Sequence, residues 1–315
     1  MKICIISYDY FGYDKYILTE LQRRKIITKH IDLNQHNFFY RNKFQRAKNF
    51  IKKIFLNKNI KKIAINSFII NQLNDEGFQD MILVIRPDLI EKKTHLEIKK
   101  NTNKYICYLY DSCTRFNIDH LLSGIFDTIY SFDIEDVKKY EFKKITNFIF
   151  SEKQKIRNHF TNRIFLIISL DERINFLIKF VSIINNLGIE NNIIVIGSEK
   201  PKTLNSNINF QNEKLSHSVV KKMMSESEYF LDIVRKNHNG LSFRIFEALA
   251  FQRKIITTNQ NIKLYDFYNS DNILVIDENC NHIDPDFFLK PYTPIPDTVY
   301  EKYTIQRWVE TVFEL

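Results

Sequence analysis

The chain has 315 residues, 44% of them hydrophobic and 26% charged, which is enough apolar material for one large or two mid-sized packed domains and too much for a disordered chain. Its net charge of +9 lies wholly in the first half: residues 1–150 carry 26 Lys and Arg against 17 Asp and Glu, whereas residues 151–315 carry 20 of each. Cys4, Cys107, Cys113 and Cys280 form no CxxC pair and read as reduced thiols in a cytoplasmic protein, and no apolar run reaches the roughly 18 residues that span a bilayer.

Short β-branched runs alternate with helical patterns from the start. Residues 2–7 predict a strand, 14–25 a helix, 26–33 a strand, and 38–56 a helix with Tyr40, Phe44, Ala47, Ile51, Ile54 and Phe55 on one face. Strand 81–86, helix 89–100, strands 104–110 and 127–131 and helix 134–140 follow. This is the pattern of βα units on a parallel sheet. The charged stretch 151–162 reads as a linker. After it come strand 163–168, helix 172–187, strand 192–197, helix 215–225, strand 229–234, helix 242–251, strands 254–257 and 272–276, and a closing helix over 300–313. The expected fold class is α/β: two doubly wound Rossmann-like domains, 1–150 and 151–299, facing a cleft at the carboxyl ends of their strands. The terminal helix, 300–315, is expected to pack back across the domain interface.

The positive charge concentrates between Gln35 and Asn74, which hold nine basic residues and no acidic one. Over 41–62, Lys43, Arg46, Lys52 and Lys53 accompany Phe44, Phe50, Ile51, Ile54 and Phe55, a composition suited to an anionic membrane surface. A helix packed on the sheet with a solvated lysine face is the plainer alternative. No recognised motif supports nucleic-acid binding.

Residues 229–259 read YFLDIVRKNHNGLSFRIFEALAFQRKIITTN. An apolar strand ends in a polar loop holding Gly240, one of only six glycines, and a helix starts at or just after Leu241 with Ser242 as N-cap. Backbone N–H groups and the positive helix end suit a phosphate or carboxylate there. Arg244 lies within reach of such an anion and can hold it bidentately. Glu247 sits in an otherwise apolar run, where a carboxylate needs sugar hydroxyls or an Arg as partner; an exposed i,i+3 pair with Arg244 is the alternative.

This run resembles the donor-binding segment of GT-B nucleotide-sugar glycosyltransferases, in which a Gly-containing loop leads into a helix carrying E-A-L-A and then a strand of the form K-x-I-T-T. The second Glu that many of these enzymes carry is Asn239 here. The chain resembles more closely a CgeB-like branch of capsule and lipopolysaccharide biosynthesis proteins, with the pattern L-D-I-x(6)-G-L-[ST]-x-R-x-x-E-A-L. Likewise MKICIISYDYFGYDKYILTEL, YICYLYDSCTRF, FDTIYSFDIEDVKKY, YDFYNSDNILVID and YEKYTIQRWVETVF are similar to segments of that branch, so the matches spread over both halves. The pattern departs at 168–171, where Ile168, Ser169, Leu170 and Asp171 replace an expected glycine-bearing turn.

The resemblance implies a transferase that binds a nucleotide-sugar on its second domain and a lipid-linked or oligosaccharide acceptor on its first, without cofactor or obligatory metal. It implies phosphate contacts at Gly240, Leu241, Ser242 and Arg244 and hydroxyl contacts at Glu247, with His238 and Asn239 near the sugar and Arg173 approaching the phosphates. An inverting enzyme needs a base, for which Asp111 and Asp14 are the best-placed carboxylates, although both also suit helix N-caps. Arg86 and Arg115 could contact an anionic acceptor. Asp284 and Asp286 form a D-x-D string, but proline between them and their late position argue against a metal site, and no histidine spacing suggests zinc. The implied setting is the cytoplasm, peripheral to the inner membrane face, in the synthesis of a bacterial surface glycan. The alternatives are a catalytically reduced relative that binds nucleotide-sugar or glycan and a basic nucleic-acid-binding α/β protein.

Overall fold

The structure is a computed structural model that describes residues 1–9, 12–36, 60–157, 159–160, 162–204, 207–277, 279–280 and 283–315. It divides into two compact units, Met1–Thr146 with Ile305–Leu315, and Asn147–Thr304. The division falls at Thr146, where the sequence suggested residue 150. The predicted helix 38–56, with Lys43, Arg46, Lys52 and Lys53, lies outside the described residues.

Unit 1 runs β1 (Lys2–Ser7), α1 (Asp14–Arg23), β2 (Ile27–Asp32), α2 (Ile60–Glu76), β3 (Gln79–Ile85), α3 (Lys92–Lys99), β4 (Thr102–Leu109), β5 (Thr128–Ser131), α4 (Ile134–Tyr140) and β6 (Lys143–Lys144). Its six strands form one parallel sheet in the order β2-β1-β3-β4-β5-β6. Strands covered on both faces must be apolar throughout. Accordingly Ile3, Cys4, Ile5 and Ile6 of β1 and Tyr105, Ile106, Cys107 and Tyr108 of β4 are fully buried. Periodicity did not mark α2, because its buried stripe is only Asn66, Ile69 and Leu73.

Unit 2 runs β7 (Asn162–Ser169), α5 (Ile174–Asn186), β8 (Asn191–Ile196), β9 (Asn209–Gln211), α6 (His217–Glu226), β10 (Ser227–Asp232), α7 (Phe243–Phe251), β11 (Lys254–Thr257), β12 (Ile273–Val275) and α8 (Asp297–Tyr300). Its parallel sheet has the order β12-β11-β10-β7-β8-β9. α5 buries Leu177, Phe180, Val181 and Ile184, an i, i+3, i+4, i+7 stripe facing the sheet. α7 is buried more completely, through Ile245, Phe246, Ala248, Leu249, Ala250 and Phe251. Each large apolar side chain so buried contributes roughly 1.5–3 kcal/mol.

The helix expected over 300–313 is broken. After α8, a single 3₁₀ turn (Glu301–Tyr303) precedes α9 (Ile305–Phe313), and α9 belongs to unit 1. There its Trp308 meets Tyr108 edge-on at 5.1 Å, while Glu310 accepts a 2.9 Å hydrogen bond from Arg24, which caps the carboxyl end of α1.

In both sheets the strand order reverses beside the unit's first strand, between β1 and β3 and between β7 and β10. Ligands of open α/β sheets bind outside the carboxyl ends of the strands at such a reversal. Those ends are Ser7 and Ile85, the latter followed by Arg86, in unit 1, and Ser169 and Asp232 in unit 2.

Candidate functional site

The loop between β10 and α7 is held from behind by three asparagines. Asn261 Nδ2 donates to the carbonyl of Asn239 at 3.0 Å, Asn259 Nδ2 to that of Gly240 at 2.8 Å, and Asn147 Nδ2 to that of Leu241 at 2.8 Å. Each of these peptide units also carries the N–H of the next residue. None of the described residues makes a cis peptide bond, and in a trans unit N–H points opposite to C=O. The amides of Gly240, Leu241 and Ser242 are therefore turned away from the asparagines, ahead of α7. Asn147, Asn259 and Asn261 were not anticipated as site residues; Asn259 ends the strand-like KIITTN run, the only local signal of the three.

Ser242 occupies the N-cap position of α7, as expected, with φ −68° and ψ 160°. Its hydroxyl does not cap the helix. It donates to Asp232 Oδ1 at 2.7 Å, and Thr257 Oγ1 donates to Asp232 Oδ2 at 2.8 Å, so two hydroxyls satisfy a buried carboxylate at the end of β10.

Arg244 folds back from α7 onto β7. Its Nη2 donates to the carbonyl of Ile167 at 3.2 Å, its guanidinium carbon lies 5.1 Å from the Phe165 ring centroid, and its Nε is 3.5 Å from Glu247 Oε2. Nε and Nη1 are buried without a hydrogen-bond partner among the described residues. Buried guanidinium N–H groups without acceptors are costly and suit an incoming anion. The Arg244–Glu247 pair is real but not solvated: both side chains are mostly buried, at 21% and 12% exposure.

At the adjacent end of β7, Asp171 takes Arg173 Nε at 2.8 Å and Nη2 at 2.6 Å, while Arg173 Nη1 donates to the carbonyl of Ile233 at 2.9 Å. Two guanidinium nitrogens of Arg173 thus hold Asp171 within the turn, and the third ties the turn to Ile233, just past β10. Arg235, overlooked in the sequence because it follows a strand without a recognised motif, makes a 3.3 Å contact to Asp171 Oδ2 and is a third exposed. Burial works to raise the pKa of Asp171, but the Arg173 hydrogen bonds and charge, with Arg235, hold it below its ordinary value. The glycine missing from this turn stands across from it: a Cβ on Gly197, just past β8, would lie 3.0 Å from Leu170 Cβ. His238 sits in the turn before the loop, its N–H donating to the carbonyl of Arg235 at 3.2 Å.

In unit 1, Asp14 is not the N-cap of α1, a position held by Tyr13. Its carboxyl is fully buried and accepts from the Tyr110 hydroxyl. Burial first, and then the charge of Asp9, pushes its pKa up to about 7 against the hydrogen bonds from Ser7 and Tyr110. Asp111 caps no helix either; it lies in a bend and pairs with Arg115 at 2.8 Å. Arg86 adopts left-handed backbone angles, φ 65° and ψ 56°, grips Asp88 with Nε at 2.8 Å and Nη2 at 2.9 Å, and stacks 3.7 Å from the Phe116 ring centroid. A non-glycine residue held there stores strain. Arg115 lies 4.9 Å from the same ring, so two cations flank Phe116. Asp284 accepts from the N–H of Asp286 as the cap of a short 3₁₀ turn.

No protein-family model and no curated protein matches the chain. Solved structures do. A trehalose-6-phosphate synthase studied for glycosyl transfer with retention has a TM-score of 0.56 at 11% identity, covering 100% of this chain and 98% of that one. A UDP-forming trehalose-phosphate synthase from Burkholderia xenovorans has a TM-score of 0.53 at 10% identity, covering 99% and 98%. A UDP-GlcNAc 2-epimerase from Neisseria meningitidis, bound to UDP-GlcNAc, has a TM-score of 0.52 at 10% identity, covering 100% and 99%. At these identities the likeness shows the fold: two Rossmann-like domains of the GT-B type.

Proposed function

We propose that the chain is a glycosyltransferase whose unit 2 binds a nucleotide-sugar. The observation that carries this reading is the set of three amides turned away from their asparagine anchors ahead of α7, beside a buried Arg244 whose Nη1 has no hydrogen-bond partner among the described residues and whose Nε has only the Glu247 ion pair at 3.5 Å. Fixed N–H donors at a helix amino end, with a guanidinium, stabilise the charge that grows on a departing nucleotide phosphate. They do so without an obligatory metal. Arg235 is the second cation for that phosphate, Glu247 binds ribose or sugar hydroxyls, and His238 and Asn239 border the sugar. Arg173 serves by fixing the turn that presents Arg235.

The acceptor belongs to unit 1. Asp14 has the proton affinity of a base at neutral pH but is closed off, whereas the Asp111 side chain is 19% exposed; Asp111 is the general base of an inverting reaction in this reading. Arg86 and Arg115 hold an anionic group of the acceptor. A bacterial surface glycan as acceptor, and peripheral attachment through Lys43, Arg46, Lys52 and Lys53, rest on the sequence resemblance and the charge pattern. No helix among the described residues is long and apolar enough to cross a membrane.

The test is calorimetric titration with UDP, GDP and CMP, followed by nucleotide release from the matching sugars with and without oligosaccharide acceptors. One nucleotide should bind, its release should accelerate with acceptor, and Arg244→Ala should weaken binding about tenfold or more, the scale of a charged hydrogen bond. Equal affinity in wild type and variant would remove the site. Conversion of the sugar without nucleotide release would identify an epimerase, and binding without turnover a reduced relative.

A further inference from the structure

The hydroxyl of an N-cap serine ordinarily accepts from the N–H two or three positions into its own helix. Ser242 stands at that position, but its hydroxyl points elsewhere. It donates to Asp232 Oδ1 at 2.7 Å. Asp232 is 5% exposed and is itself fixed: Oδ2 accepts from Thr257 Oγ1 at 2.8 Å, and its backbone carbonyl accepts from the N–H of Thr258 at 3.1 Å. β10 and β11 are paired in register, Asp232 opposite Thr257, so the carboxylate cannot follow Ser242 if the serine turns.

We propose that Asp232 is a positioning residue that holds the Ser242 hydroxyl off the amino end of α7 and so keeps the N–H of Arg244, the second residue of the helix, open for a ligand phosphate beside the amides of Gly240, Leu241 and Ser242. The inference rests on the nucleotide reading above and refines it. Ser242 then serves through its backbone amide, and its hydroxyl is a competitor kept in check. A serine free to cap its own helix would accept from the Arg244 N–H, because the Ile245 N–H already donates to the Ser242 carbonyl at 3.2 Å, and a self-capped helix end attracts an anion less. Glu247 and Arg244, on the first turns of the same helix, set the charge around the site.

The test is UDP affinity of four proteins by calorimetry: wild type, Asp232→Ala, Ser242→Ala, and the double variant. Asp232→Ala should weaken UDP roughly five- to tenfold, the worth of a side-chain cap, and adding Ser242→Ala should restore most of that loss. Asp232→Asn, which keeps the shape and one acceptor, covers the case in which the alanine variant does not fold; it should weaken UDP less than fivefold, and Ser242→Ala should again restore it. A merely structural Asp232 would give a double variant that binds no better than the single one, overturning the inference while leaving the nucleotide site intact. Absence of UDP binding to the wild type, with GDP and CMP also silent, would overturn the nucleotide reading and this inference with it.

Discussion

Asp14 lies in the first turn of α1 with its carboxyl against the Tyr110 hydroxyl and near Ser7, Asp9, His30 and Asp32. Ser7 Oγ and His30 Nε2 are 2.8 Å apart, so these groups form one polar cluster at the carboxyl ends of β1 and β2. Because folding raises the pKa of Asp14 from 3.8 to about 7, the folded chain keeps a proton that the unfolded chain releases. That contribution to stability is fully present below about pH 4 and is lost as pH rises through about 7. His30 runs the other way: burial lowers its pKa, so its contribution is present above its ordinary value and lost as pH falls. Comparing wild type with Asp14→Asn, whose amide oxygen still accepts from Tyr110, isolates the carboxyl. Urea midpoints should favour the variant more at pH 8 than at pH 5. An identical difference at both pH values would mean that Asp14 ionises freely in the fold. The asparagines behind the 239–241 loop belong to the same scale: Asn147 is 94 positions from Leu241, and no sequence window pairs them.

Strands and helices with strong local patterns were legible. Strand Lys254–Thr257 and helix Ile134–Tyr140 fall on the predicted residues, because one is a short β-branched run and the other opens with Asp133, whose carboxylate caps Glu135 and Asp136. α2 escaped because packing on three residues, one of them Asn66, leaves no clear stripe. β9 escaped because three residues carry no period. At the site, the Gly240 loop and α7 were visible, since a glycine, a polar turn and an apolar helix are consecutive. The turn after β7 looked defective without its glycine, yet the close approach it needs is supplied by Gly197 from the neighbouring strand. Gly197→Ala should therefore disturb that turn: its Cβ would fall 3.0 Å from Leu170 Cβ and 3.2 Å from the Phe210 ring, tighter than nine in ten such contacts, so that Leu170 and Phe210 must give way by a few tenths of an ångström. The expected cost is about 1–3 kcal/mol in unfolding free energy, with weaker nucleotide binding through displacement of Asp171 and Arg235. Unchanged stability would show that the turn tolerates the methyl group.

At the level of the whole molecule, each unit carries its own sheet and its own buried cluster. One is centred on Cys4, Ile82 and Tyr105, and the others on Leu177, Tyr229 and Phe246. The chain's only tryptophan, Trp308, is in unit 1 through α9, packed on Tyr108 and Phe313, although the residues preceding α9 belong to unit 2. Tryptophan fluorescence therefore reports the unfolding of unit 1, whereas far-ultraviolet circular dichroism reports both units. The proposed nucleotide contacts come entirely from unit 2. A ligand that binds one folded unit stabilises it by RT ln(1 + [L]/Kd), about 2.7 kcal/mol at a hundredfold excess over Kd. Saturating nucleotide should thus raise the dichroism midpoint of the later transition while leaving the fluorescence midpoint in place, and it should split a melt that is single without ligand. A fluorescence midpoint that moves as far as the dichroism midpoint would show that the two units unfold as one cooperative body.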